Sequence, residues 1–198
     1  PKADWAPRFL RAKTTLQALA RDSVAAWFHG VSRMNDTQRQ ALFSRRLANE
    51  LGGYHAIEVL RDHAAQAPTD HPLSLVQYLD LKTFLVGILH KVDRASMAHS
   101  LEVRVPLLDH QLVEWMSGLR PEWKLKGGDG KHLFKHALKP YLPDEIMYRP
   151  KQGFSIPLAE WFRGPLREKY SSEVLGEAFS DTGLFDTAYL RTLQAQHD

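Results

Sequence analysis

An all-α fold is what this sequence predicts, and three observations predict it. Apolar residues recur mostly three and four positions apart, the spacing that gathers one face of a helix, and strict apolar–polar alternation is rare. Prolines at 68, 72, 106, 121, 140, 143 and 150 fall at or near the ends of the periodic segments, where a fixed φ and a missing N–H are tolerated. The 198 residues, 43% hydrophobic and 25% charged, suffice for a single domain with a real core and argue against disorder.

The predicted helices follow in order. One over 5–22 rests on apolar spacing alone, and no motif marks the first seventy or so residues. Helices over 36–51 and 54–65 are divided by Gly52 and Gly53. Helix 73–82 starts at Pro72, and helix 84–99 carries the densest apolar face. Helix 110–119 stops before Pro121, helix 131–141 leaves the turn GGDGK, helix 158–170 follows Pro157, and helix 186–196 rests on the periodic TAYLRTLQAQ.

Two of these helices expose the local chemistry. Asp109 caps helix 110–119 by accepting a first-turn N–H, Leu108 and Val113 form a staple, and Leu112, Val113, Met116 and Leu119 make the buried stripe. In helix 84–99, Leu85, Ile88, Leu89 and Val92 form a broad face, while Phe84, Val86, Met97 and Ala98 add apolar surface elsewhere, which predicts a central, nearly surrounded helix. That helix also carries His90, Lys91, Asp93 and Arg94, which must pair, face a cleft or reach solvent. An ion-pair network is the preferred reading for Asp93 and Arg94; for Lys91, surface pairing and substrate contact weigh equally. Between the two helices, LEVRVP alternates, so Glu102 and Arg104 share one side of an extended linker, bonded to each other or flanking a cleft, with a positional role.

The strongest chemical candidate is the loop YRPKQGFSIP, 148–157. Pro150 fixes a dihedral just before Lys151 and Gly153 frees one just after it, so the lysine can be aimed. Arg149 adds a second cation, and two cations in a shaped loop suit an anion such as phosphate.

Together with KVDRASMAHSLEVRVPLLD at 91–109 and GKHLFKHALKPYLPDEIM before it, this loop resembles the C-terminal part of the synthetase domain of glutamine-hydrolysing asparagine synthetases, over about residues 79–167. The resemblance implies the helical C-terminal portion of an α/β synthetase domain of the adenine-nucleotide α-hydrolase-like, pyrophosphate-loop type. The whole enzyme would use ATP and Mg2+ to turn a carboxylate, typically that of aspartate, into an acyl-adenylate that glutamine-derived ammonia attacks. Lys151 would then be catalytic, Lys91, Arg149 and Gly153 would touch ATP or substrate, and Asp93, Arg94, Glu102, Arg104 and Asp109 would be structural or line the cleft. No ATP or metal is expected on this chain alone. The family's SGGxDS and SGxGxDE segments and the cysteine nucleophile of its glutaminase domain are absent from the sequence. With Pro1 at its start and a periodic pattern at its end, the chain reads as a fragment, inactive alone, whose uncovered helical layer predicts an exposed apolar patch and self-association.

Other readings remain open: relatives that close a β-lactam or amidate acids in polysaccharide pathways, a noncatalytic helical interaction module, and a nucleic-acid-binding helical domain. Against the last, the 26 basic residues are interleaved with 23 acidic ones, so the net +3 describes a mixed solvated surface and no specific nucleic-acid partner. The apolar runs fall short of the roughly 20 residues of a spanning helix and no signal-like start is present, so no membrane partner and a cytoplasmic location are expected. GGDGK lacks the preceding strand and Ser/Thr of a Walker loop and reads as a turn with a helix start. His132 and His136, four apart, lack a zincin glutamate and a third ligand, so no metal site is predicted.

Overall fold

The computed structural model describes residues 22–150 and 156–197. Nearly all of the predicted helix 5–22, together with Lys151 and Gly153, lies outside them. The described residues are mostly helical, as the periodicity predicts. They gather into two compact units, 22–27 with 59–150 and 28–58 with 156–197.

Helix α1 (Ser23–Val31) begins at Asp22, whose side chain accepts the Ala25 N–H at 2.8 Å. Asp22 therefore opens a helix that the sequence reading lacks. In the second unit, the predicted helix 36–51 is two helices, α2 (Asp36–Leu42) and α3 (Arg45–Leu51). Asn35 and Gln38 start α2 with a reciprocal capping box. Phe43 then turns extended and forms an antiparallel bridge with Phe185, while Ser44 caps α3 through the Leu47 N–H at 3.1 Å. The Ser44 hydroxyl also donates to the Gly183 carbonyl at 2.7 Å, and the Arg46 guanidinium donates to the Thr182 carbonyl at 2.7 Å. No helical period can announce a bridge to so remote a partner.

α4 (Ile57–Ala65) leads into α5 (Pro72–Lys82) and α6 (Phe84–Met97). The last two are separated only by Thr83, whose N–H and hydroxyl both donate to the Leu79 carbonyl, at 3.0 and 2.7 Å. Pro72–Met97 thus has 26 residues and is long and apolar enough to cross a membrane by length and composition alone. Asp80, Lys82, His90, Lys91, Asp93 and Arg94 interrupt it. Leu79 is fully buried, but α6 is not the surrounded helix that its sequence predicts. Leu85, Ile88 and Val92 are half-buried along one stripe, whereas Phe84, Val86 and Met97 are each more than half exposed. The apolar side chains encircle α6, but among the described residues packing partners meet one side only.

A 3-10 turn, Pro106–Leu108, precedes α7 (His110–Gly118), and the short α8 (Pro121–Lys124) follows, with Pro121 in its first turn. Strands β1 (Leu125–Lys126) and β2 (Asp129–Gly130) pair antiparallel, Leu125 opposite Gly130 and Lys126 opposite Asp129. Gly127 and Gly128 have φ of 57° and 84°, the positive values a two-residue hairpin turn of this hand requires. Lys131, left-handed at φ 61°, then starts α9 (His132–Leu138). GGDGK is thus a turn and a helix start, as read, with a small hairpin added. α10 (Asp144–Met147) completes the unit.

In the second unit, the predicted helix 158–170 is also divided. α11 (Leu158–Arg163) ends at Gly164, and Pro165 follows before α12 (Arg167–Val174). The missed signal is the Gly–Pro pair, which removes a donor and bends the chain. α13 (Glu177–Ser180) and α14 (Thr187–His197) close the chain. α14 packs on α2, and the rings of Phe179 and Phe185 stack at 5.2 Å.

The core is thin. Among the described residues, Val24, Leu60, Leu79 and Leu190 are the buried hydrophobic side chains, while tryptophans 115, 123 and 161 are exposed. Val86, Met97, Leu101 and Tyr141 are likewise exposed.

Candidate functional site

Among the described residues, the sequence-predicted site residues lie on α6, on the irregular stretch that follows it, at the start of α7 and just past α10. Lys91, Asp93 and Arg94 are exposed on α6, and no side-chain hydrogen bond or ion pair joins them to another described residue. The ion-pair network preferred for Asp93 and Arg94 is therefore absent among the described residues: solvent already solvates both charges, so no neighbour is required. Arg149 is exposed just past α10 and pairs with no described residue. Lys151 and Gly153 lie outside the described residues.

The structure does bring Glu102 and Arg104 together as an ion pair. Both are exposed on an irregular stretch, where such a pair contributes at most about 1 kcal/mol. Asp109 caps α7, accepting the N–H groups of Gln111 at 3.0 Å and Leu112 at 3.3 Å. The stripe on α7 is not buried as predicted: Val113, Met116 and Leu119 are half-buried and Leu112 is exposed. Leu112, Val113 and Met116 line an open cleft instead.

Sequence reasoning missed two lysines. Lys135, on α9, forms an ion pair with Asp129 of the hairpin and sets its ammonium 4.9 Å from the centre of the Tyr148 ring. Both partners are of kinds that hold an ammonium, and Lys135 is mostly buried. Through Lys135 the arrangement links Asp129 of the hairpin to Tyr148, the first residue of YRPKQGFSIP. The GGDGK turn thus acts through its aspartate. Signals existed in Asp129 and Lys135, but only the hairpin brings them together.

Lys124 is the second. It is only 8% exposed, and its ammonium donates to the Gln77 side-chain oxygen at 3.3 Å and the Ser117 carbonyl at 3.2 Å. Both acceptors are neutral, and burial lowers the pKa from the ordinary lysine value. Nothing in PEWKLK distinguishes this lysine from its exposed neighbour Lys126. The native pKa lies below the unfolded one, so between them the unfolded chain binds more protons and stability rises with pH. Urea unfolding should show Lys124→Met gaining on the parent chain more at neutral pH than at about pH 10. An equal difference at both pH values would contradict a charge-burial cost.

Among the described residues no group of three His, Cys, Asp or Glu side chains could hold a metal ion, and His132 and His136 recruit no third ligand. Among the described residues the chemistry on offer is therefore cationic: exposed Lys91 and Arg149, Lys135 beside Tyr148, and the buried ammonium of Lys124.

Comparison with known proteins gives these features a frame. The family model described as asparagine synthase matches residues 2–198, well beyond the stretch the motifs cover. Asparagine synthetase [glutamine-hydrolyzing] 1 of Bacillus subtilis (strain 168) is 29% identical over 138 residues, 69% of this chain and 22% of that protein. Asparagine synthetase [glutamine-hydrolyzing] 3 of the same organism is 42% identical over 77 residues, 39% of this chain and 12% of that protein. A protein named amidase chry2, from Gibberella zeae, is 32% identical over 124 residues, 59% of this chain and 18% of that protein. The chain spans about a fifth of the length of the first of these relatives. No solved structure gives a significant match.

Proposed function

Because the chain belongs to the asparagine synthase family, we propose that it is the helical C-terminal portion of a pyrophosphate-loop synthetase that acts in the cytoplasm. In this reading a carboxylate oxygen of the acceptor, most simply aspartate, attacks the α-phosphorus of ATP and pyrophosphate leaves, so that an acyl-adenylate forms. Ammonia released from glutamine then attacks the acyl carbon, AMP leaves, and an amide remains. Two signatures in family order carry the reading, 91–109 and 148–157.

The chain's own part is charge management. Negative charge grows on the α-phosphate oxygens and the carbonyl oxygen, and a positioned ammonium in a water-poor cleft stabilises both more than it stabilises the ground state. Lys151 takes this role, with Arg149 and Lys91 as supporting cations for the phosphates. Lysine and arginine side chains of this kind suit the phosphates of ATP. Mg2+ does not fit the described residues, which offer it no carboxylate cluster, so no step is routed through it here.

The test is product formation. The intact polypeptide given ATP, Mg2+, aspartate and glutamine should yield AMP and asparagine in equal amounts, while the 198-residue chain alone should yield neither. Failure of the intact polypeptide to form AMP with any carboxylic acid would end the proposal. The relative named as an amidase favours a second reading with another acceptor, in which AMP appears with a different acid.

A further inference from the structure

The cleft bordered by α5, α7, α8 and α9 has a volume of about 410 Å³ and lies within one compact unit. That is within the range of small-ligand sites, roughly 300–1,000 Å³. Its walls are mainly apolar, with Leu81, Leu112, Met116, Trp123 and Phe134 among them. One buried charge, the Lys124 ammonium, also lines it.

An ammonium has three N–H donors, and Lys124 uses two, on Gln77 and the Ser117 carbonyl. Among the described residues neither a third acceptor nor a carboxylate lies within ion-pair distance of it. A buried cation without a counter-charge is costly, and an anion seated in the cleft would supply both the missing acceptor and the missing charge. The remaining donor suits a single carboxylate, and the walls require that the carboxylate carry a hydrocarbon body. Lys131, also at the cleft, adds attraction, while Asp80 is its one acidic wall residue and opposes an anion.

We propose that this cleft binds an apolar monocarboxylate, its head on Lys124 and its body against Leu112, Met116, Trp123 and Phe134. A nucleotide does not fit this chemistry, because several phosphate charges would face one buried donor and an apolar wall. The site is thus separate from the phosphate-binding cations of the synthetase reading and does not rest on that reading.

Calorimetric titration of the chain with octanoate and with octan-1-ol tests the proposal. Octanoate should saturate one site, and octan-1-ol should bind at least about tenfold more weakly, the loss expected when a charge-assisted hydrogen bond goes. Lys124→Met, which keeps the stem and removes the charge, should weaken octanoate by about tenfold or more and leave octan-1-ol unchanged. Asp80→Asn, which leaves Lys124 intact, should tighten octanoate by a few-fold and decides the matter if the lysine variant does not fold. Absence of saturable octanoate binding, equal binding of acid and alcohol, full retention in Lys124→Met, or weakening in Asp80→Asn would each overturn it.

Discussion

In the intact synthetase, Lys151→Ala is expected to lower amide synthesis by about 10² to 10³ or more, the loss seen when one preorganised donor is removed from a developing charge. ATP binding should change less, because the contact strengthens as charge grows toward the transition state. Lys151→Arg should restore only part of the rate, since a planar fork does not replace a compact ammonium. Glutamate release, carried out by a separate glutaminase domain in this reading, should survive in both variants. Assays of AMP and of glutamate on the same preparations separate the two effects. Wild-type AMP formation in Lys151→Ala would reduce Lys151 to a solvated surface charge.

Leu79→Ala is expected to cost about 2–5 kcal/mol of folding stability, the usual loss for a leucine truncated in a closed site. Leu79 is the largest fully buried side chain among the described residues, and its carbonyl anchors Thr83 between α5 and α6. Against a total stability of about 5–15 kcal/mol such a loss can unfold much of the population. Leu89→Ala, at a side chain 39% exposed on α6, should cost about 1 kcal/mol or less. Urea unfolding of the two variants decides: similar midpoints would mean that Leu79 is not the keystone its burial suggests.

What the sequence made legible was set by the range of each interaction. The cap at Asp109 reaches two and three residues along the chain, and the turn at Gly127 and Gly128 is local, so both could be read directly. The division at Gly164 was equally local but was passed over because the flanking apolar spacing continues across it. Phe43 could not be read, because its extended backbone answers to Phe185. The surroundings of α6 were misjudged for a related reason: periodicity reports which side chains prefer burial, not whether a partner is there to bury them. Of the site, the loop at 148–157 was visible as a motif. The Asp129, Lys135 and Tyr148 arrangement and the buried Lys124 were not, since lysine burial depends on neighbours 47 residues away, as with Gln77.

The bridge at Phe43 also has a bearing on the order of folding. Ser44 and Gly183, joined by its flanking hydrogen bond, are 139 residues apart, and closing a flexible loop of that length costs about 4 kcal/mol in chain entropy beyond a constant. A few hydrogen bonds at roughly 1 kcal/mol each, with one stacked phenylalanine pair, come close to offsetting it only when they form together. Local helices, which close short loops, form well ahead of such a contact. On a ribosome the residues from Arg45 to Thr182 must all have been synthesised before Gly183 can meet Ser44, so this clasp forms after the local helices between its two ends.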